Sequence, residues 1–154
     1  MKQTESNQFG FTLMELIITM AIIMILAAIV LVNLNSSRKQ SRDAKRVADI
    51  QQILTALHLY FNDNNSFPGP DTPTTTGPNS TEGDPPWGSY LTMWPQAPQP
   101  PDNPTGNSDC TQANNTYTYV RTEAGQNFNV VFCLGSVVGR FSAGVHTMSI
   151  NGIQ

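Results

Sequence analysis

Residues 11–34, FTLMELIITMAIIMILAAIVLVNL, carry a single charged side chain, that of Glu15. Roughly 20 apolar residues in a helix span the ~30 Å hydrocarbon core of a bilayer, and this run is long enough. Its competing use is a buried core helix, but the rest of the chain is too polar to enclose one. The segment is therefore expected to cross a membrane. That makes Glu15 the first question. A carboxylate at the centre of a membrane helix costs ~2.5–3.5 kcal/mol on insertion scales, and such residues are usually paired.

Charge is segregated along the 154 residues, a length that suits one domain. Arg38, Lys39, Arg42, Lys45 and Arg46 are five of the eight basic residues and follow the apolar run directly. From Val47 onward two basic residues, Arg121 and Arg140, face eight acidic ones, a distal charge of −6. A basic cluster can serve nucleic acid; a solvated helix face or a membrane-proximal collar is the plainer use. The acidic remainder argues against DNA as the main partner. Cys110 and Cys133 both lie beyond the apolar run. A pair in an exported domain usually forms a disulfide, worth roughly 3 kcal/mol on the chain-entropy model for a loop of this size. A Cys-only zinc site needs four ligands, and His58 and His146 lack metal-type spacing.

Helical periodicity continues past the apolar run. Val47, Ile50, Leu54, Leu57 and Phe61 recur at steps of three and four, one stripe on a helix. Neither Pro nor Gly occurs from Phe11 to Asn65, so one helix is expected over about 11–61. At ~1.5 Å per residue it would be about 75 Å long. The turn formers of NDNNSFPGP end it. All eleven prolines fall between 68 and 104, a long irregular loop that includes Thr74-Thr75-Thr76 and Asn103-Pro104-Thr105-Gly106. Trp87, Tyr90, Leu91 and Trp94 are expected to tack this loop to the helix; a sugar- or surface-binding role is their alternative use. The period then switches to two. Residues 116–122, 127–133 and 145–150 read as short strands, with turns at Ala124-Gly125-Gln126 and Ser142-Ala143-Gly144. Phe128, Val130 and Phe132 would pack on Leu54, Leu57 and Phe61. The expected fold class is α+β: a long N-terminal helix whose far half lies on a small antiparallel sheet.

A secretory signal places its small residues after the apolar region. Here Gly10 precedes it, so a cut after Gly10 would keep the helix and leave a free amine on Phe11, four residues before Glu15. That amine is a counter-ion for the carboxylate, within one chain or between neighbours, where it would fix axial register. The motif GFTLMEL resembles the processing site of type IV pilins and of type II secretion pseudopilins: Gly10 before the cut, Phe11 first and Glu15 fifth in the mature chain. The apolar run, the helix RDAKRVADIQQI and the closing YFNDNNSFP resemble the family too. The resemblance covers residues 9–68 and is architectural beyond them. Met24 and Val32 stand where members often carry Gly and Pro. The cysteines do not bracket the last residues, and no acidic cluster near the end resembles the calcium site of major pseudopilins. Lys2 is the leader's one basic residue, offset by Glu5.

The resemblance implies a leader (1–10), a transmembrane and filament-core helix (11–34) and an extracytoplasmic head (35–154). The head would comprise helix 35–61, a Pro-rich loop 62–115 and a sheet 116–154. It implies a structural filament subunit with no catalytic residue, cofactor or metal. Its partners would be a prepilin peptidase that cuts and methylates, other pilin subunits, a platform protein, an assembly ATPase and, before assembly, the lipid bilayer. The N-terminus would face the cytoplasm and the head the outside. The positive-inside rule, applied to the basic residues after the span, points the other way; the processing motif outweighs it, because those residues are spread along a helix. Two other readings compete. One is a minor pilin-like or competence binding module touching DNA or a surface, against which the presence of Glu15 favours a body subunit. The other is a membrane-anchored enzyme, for which neither a nucleophile elbow nor a phosphate loop speaks. Asn79-Ser80-Thr81 and Asn114-Asn115-Thr116 match glycan-acceptor triplets.

Overall fold

A computed structural model of the chain describes residues 10–102, 110 and 115–154. The expected leader residues 1–9, the Asn103–Gly106 turn and Asn114 lie outside the described residues. Two units are distinguished, Met1–Ser37 and Arg38–Gln154. Helix α1, Leu13–Asn64, contributes to both. It ends where Asn65 adopts a left-handed conformation (φ 53°) and its N–H bonds the carbonyl of Phe61 at 2.8 Å. Asn tolerates that conformation better than most residues, which is why it closes helices.

The second unit is built on a meander. Strands β1 (Thr118–Thr122), β2 (Asn127–Leu134), β3 (Gly144–Ser149) and β4 (Gly152–Ile153) pair antiparallel in that spatial order. Alternation along β2 sends Phe128, Val130 and Phe132 into the core, each at most 1% exposed. The register sets Tyr119 opposite Val130 and Val130 opposite Met148, so one face of the sheet is continuously apolar. Ile50, Ile53, Leu57 and Tyr60 of α1 join the same cluster. Three strands were expected. β4 escapes because two residues show no periodicity, and β1 starts at Thr118 rather than 116. The helix stripe is also wider than expected: Ile53, Ala56 and Tyr60 are buried, while Val47, Leu54 and Phe61 are half-buried at its flanks.

The Pro-rich segment is bound to this core through its aromatics, as expected. Trp87 heads a 3-10 turn, Trp87–Ser89, and stands edge-on to Tyr60 with ring centroids 5.9 Å apart. Trp94 packs edge-on against Tyr119 of β1, and its indole N–H donates to the Tyr117 carbonyl at 3.0 Å. Thr74 and Tyr119 exchange backbone hydrogen bonds of 2.8 Å in both directions. This bridge covers part of the free edge of β1, where unpaired backbone groups would otherwise face solvent or another chain.

Candidate functional site: the helix start and the buried charges

Thr12 caps α1. Its Oγ1 accepts the Glu15 N–H at 3.2 Å, and its carbonyl accepts the Leu16 N–H at 3.2 Å. Thr12-Leu13-Met14-Glu15 has the spacing of a capping box, in which a Glu or Gln three residues after the cap also serves the helix start. Glu15 therefore sits in the first turn, where the positive end of the helix dipole favours a carboxylate by about 0.3–1 kcal/mol. That is less than the ~2.5–3.5 kcal/mol charged for a carboxylate held in hydrocarbon. Where this turn lies among lipid or packed apolar helices, the dipole leaves most of the cost standing and a cation is still needed. Thr12 escapes a reading that searches for charge alone, although T-x-x-E is visible in FTLME.

Gly10 and Phe11 precede the helix and are exposed, Phe11 by 86%. A Cβ added to Gly10 would meet nothing within 4 Å. The fold makes no demand for glycine there, so any requirement comes from something that acts on the chain. Side chains from Phe11 to Ile29 are exposed throughout, and α1 is long and apolar enough to cross a membrane. Thr19, a polar residue within the run, donates its hydroxyl to the Leu16 carbonyl at 2.9 Å and so satisfies itself. A continuous apolar surface of this kind marks a membrane or protein contact.

The basic residues that follow divide into two groups. Arg38 and Lys45 are exposed, in keeping with a solvated face. Arg46 is 1% exposed and Asp43 fully buried. Arg46 donates to Asp43 at 2.6 Å, to Asp102 at 3.0 Å and to Asn115 at 3.0 Å, and Arg42 Nε donates to Asp102 at 2.6 Å. Asp43 also accepts the Gly135 N–H at 3.0 Å and the Ser136 hydroxyl. Two cations thus meet two anions, which is the condition for burying charge at tolerable cost. Burial by itself would raise the Asp102 carboxyl; hydrogen bonds from Arg42 and Arg46 outweigh it and hold that group below the usual range. Gly135 has to be small, because a Cβ there would lie 2.2 Å from the Asp102 Cβ. Cys110 and Cys133 are joined in a disulfide with Cα atoms 5.7 Å apart.

The family described as the prokaryotic N-terminal methylation motif matches residues 6–31. The type II secretion system core protein G of Pectobacterium carotovorum is 36% identical over 66 residues, 43% of this chain and 42% of that protein. The type IV wide pilus major component PilA4 of Thermus thermophilus is 43% identical over 61 residues, 40% of this chain and 47% of that protein. This chain carries the N-terminal methylation motif, and its N-terminal segment is similar to that of type II secretion pseudopilins and a type IV pilin. The type II secretion system core protein G of Klebsiella pneumoniae is 29% identical over 97 residues, 60% of this chain and 69% of that protein. Against the first two relatives the chain spans less than half of their length. No solved structure gives a significant match. Pilins and pseudopilins are structural proteins rather than enzymes. Among the described residues no group of three or more His, Cys, Asp or Glu side chains is placed to hold a metal ion.

Proposed function

We propose that the chain is made as a prepilin, cut between Gly10 and Phe11 by a membrane prepilin peptidase, and assembled as a structural subunit of a type IV pilus or pseudopilus. The observation that carries this reading is the exposed apolar first half of α1 with one carboxylate, Glu15, in its first turn. A cut after Gly10 would supply the missing cation, the α-amine of Phe11, which the peptidase would also methylate. Paired with Glu15 of a neighbouring subunit, that amine would set the axial register of packed helices while their apolar surfaces make the remaining contacts. Before assembly the same surface would sit in the cytoplasmic membrane, N-terminus inside and head outside. A platform protein and an assembly ATPase would then extract the subunit into the filament. The relatives include both a secretion core protein and a wide pilus component, and a place in the body of the filament rather than at its tip is favoured because Glu15 is present. A minor subunit that contacts DNA or a surface is the second reading.

Glu15→Gln tests the pairing cleanly, since Gln also satisfies the capping-box position and leaves the helix start in place. The variant should insert in the membrane and be cleaved normally, yet fail to form filaments, because a buried amine without its counter-charge is costlier than losing both partners. Thr12→Ala is the control: it removes the cap, at a cost of about 1 kcal/mol, but keeps the charge and should keep filaments. Mass spectrometry of the membrane-extracted chain should find a methylated Phe11 at its start. Filaments at normal yield from processed Glu15→Gln protein would falsify the pairing.

A further inference from the structure

Asn79-Ser80-Thr81 has the Asn-X-Thr form that N-glycan transferases accept, with X other than Pro. Such triplets arise by chance, so geometry has to discriminate. In the second triplet, Asn115 is buried and accepts a hydrogen bond from Arg46, which ties the residue beside the candidate acceptor into the core. The first triplet is exposed at all three positions. The Asn79 Oδ1 accepts both the backbone N–H of Thr81 at 3.2 Å and its hydroxyl at 3.1 Å. An N–H donor has to face the oxygen of the amide, so this Asx turn fixes which way the side chain points. Nδ2 is left without a hydrogen-bond partner among the described residues. The turn is braced from beneath. Glu82 N–H bonds the Asn79 carbonyl at 3.1 Å, Gly88 N–H the Ser80 carbonyl at 2.9 Å, and Trp87 N–H the Glu82 carbonyl at 2.7 Å, with the Trp87 side chain itself buried.

We infer that Asn79 is an acceptor site for an N-linked glycan, supplied by a polyprenyl-diphosphate-linked oligosaccharide. The inference rests on the exported head of the proposed function, since the acceptor has to meet a transferase outside the cytoplasm. In the transfer, Asn79 Nδ2 forms a bond to the anomeric carbon of the first sugar. The bond from that carbon to the lipid diphosphate breaks, and the diphosphate leaves with the electron pair. One amide proton passes to a basic group of the transferase. The two Thr81 donors draw charge toward Oδ1, which makes the departing Nδ2 proton more acidic. Ser at position 81 can keep both donors; Ala keeps the backbone one alone.

The test is peptide mapping of the full chain purified from its own host, read together with its N-terminus and its disulfide. The peptide spanning Asn79 should carry an oligosaccharide mass that enzymatic release removes, converting Asn79 to Asp. The mass should be lost in Asn79→Gln, strongly reduced or lost in Thr81→Ala and retained in Thr81→Ser, with Cys110 and Cys133 linked in every variant as evidence of folding. A chain that starts at Phe11, has the disulfide and carries an unmodified Asn79 overturns the glycan and leaves the export reading intact. A chain that keeps Met1 and lacks the glycan overturns both.

Discussion

Asp102 balances the buried charges of the head. Without it, Arg42 would lose the carboxylate it is bonded to, and Arg46, 1% exposed, would keep Asp43 alone. Breaking a buried pair from one side costs about 3–5 kcal/mol, so Asp102→Asn should lower stability near neutral pH toward that range. The pH dependence follows from the sign of the shift. The folded-state carboxyl lies below its ordinary value of 3.8, so its contribution is fully present above that value and is lost as pH falls through the folded-state value. Urea midpoints measured from neutral to strongly acidic pH should show part of the wild-type decline missing in Asp102→Asn. Identical acid profiles would remove the role given to this residue. The cluster is scarcely legible in the sequence. Asp43 and Arg46 stand at i, i+3, but Asp102 lies 56 residues beyond Arg46, so RDAKR reads as a solvated basic face. Glu15 was conspicuous because it is the one charge in an apolar run. Thr12 was not, because a hydroxyl is cheap to place almost anywhere.

At the scale of the element, helix α1 and strand β2 were visible through their periods, and the misplaced details have physical causes. A stripe drawn through Val47, Leu54 and Phe61 follows one edge of the buried face. The Pro-rich loop covers the other edge, bringing Trp87 and Tyr90 against Tyr60, with ring centroids 5.9 and 5.6 Å away. No periodicity announces a loop that folds back to widen a core. Tyr90 also donates to Asp63 at 2.7 Å, and desolvation together with that bond pushes its hydroxyl up to about 12. The core contact on α1 therefore centres on Ile53, which is fully buried, while Leu59 is 53% exposed. Ile53→Ala should cost about 2–5 kcal/mol, and Leu59→Ala less than about 0.5 kcal/mol. Equal losses in denaturant unfolding would mean that the helix presents a different face to the sheet.

For the whole molecule, the same distribution of contacts predicts that the head stands alone. The apolar core from Ile50 to Met148 and the Arg42–Asp43–Arg46–Asp102 cluster all belong to the unit Arg38–Gln154. The exposed large apolar side chains described before residue 38 run from Phe11 to Leu34; those left beyond it, such as Leu59, Met93, Val137, Val145 and Ile150, are few. Scattered singly, such residues are tolerated on soluble proteins, whereas a continuous apolar surface is not. A chain of residues 38–154 would begin its helix on basic side chains, which the positive end of the dipole disfavours. Its first turn should fray as far as Ser41, whose hydroxyl is suited to cap the shortened helix, and Arg42 and the rest of the cluster would be kept. Made in an oxidising compartment, this fragment should be soluble without detergent, carry the Cys110–Cys133 bond and unfold in one cooperative transition. Its urea midpoint should match that of the head in the full chain in mild detergent, since the removed residues add apolar surface rather than core. A fragment that stays molten by near-ultraviolet circular dichroism, or that needs detergent to remain in solution, would show that the head depends on the apolar helix for its stability.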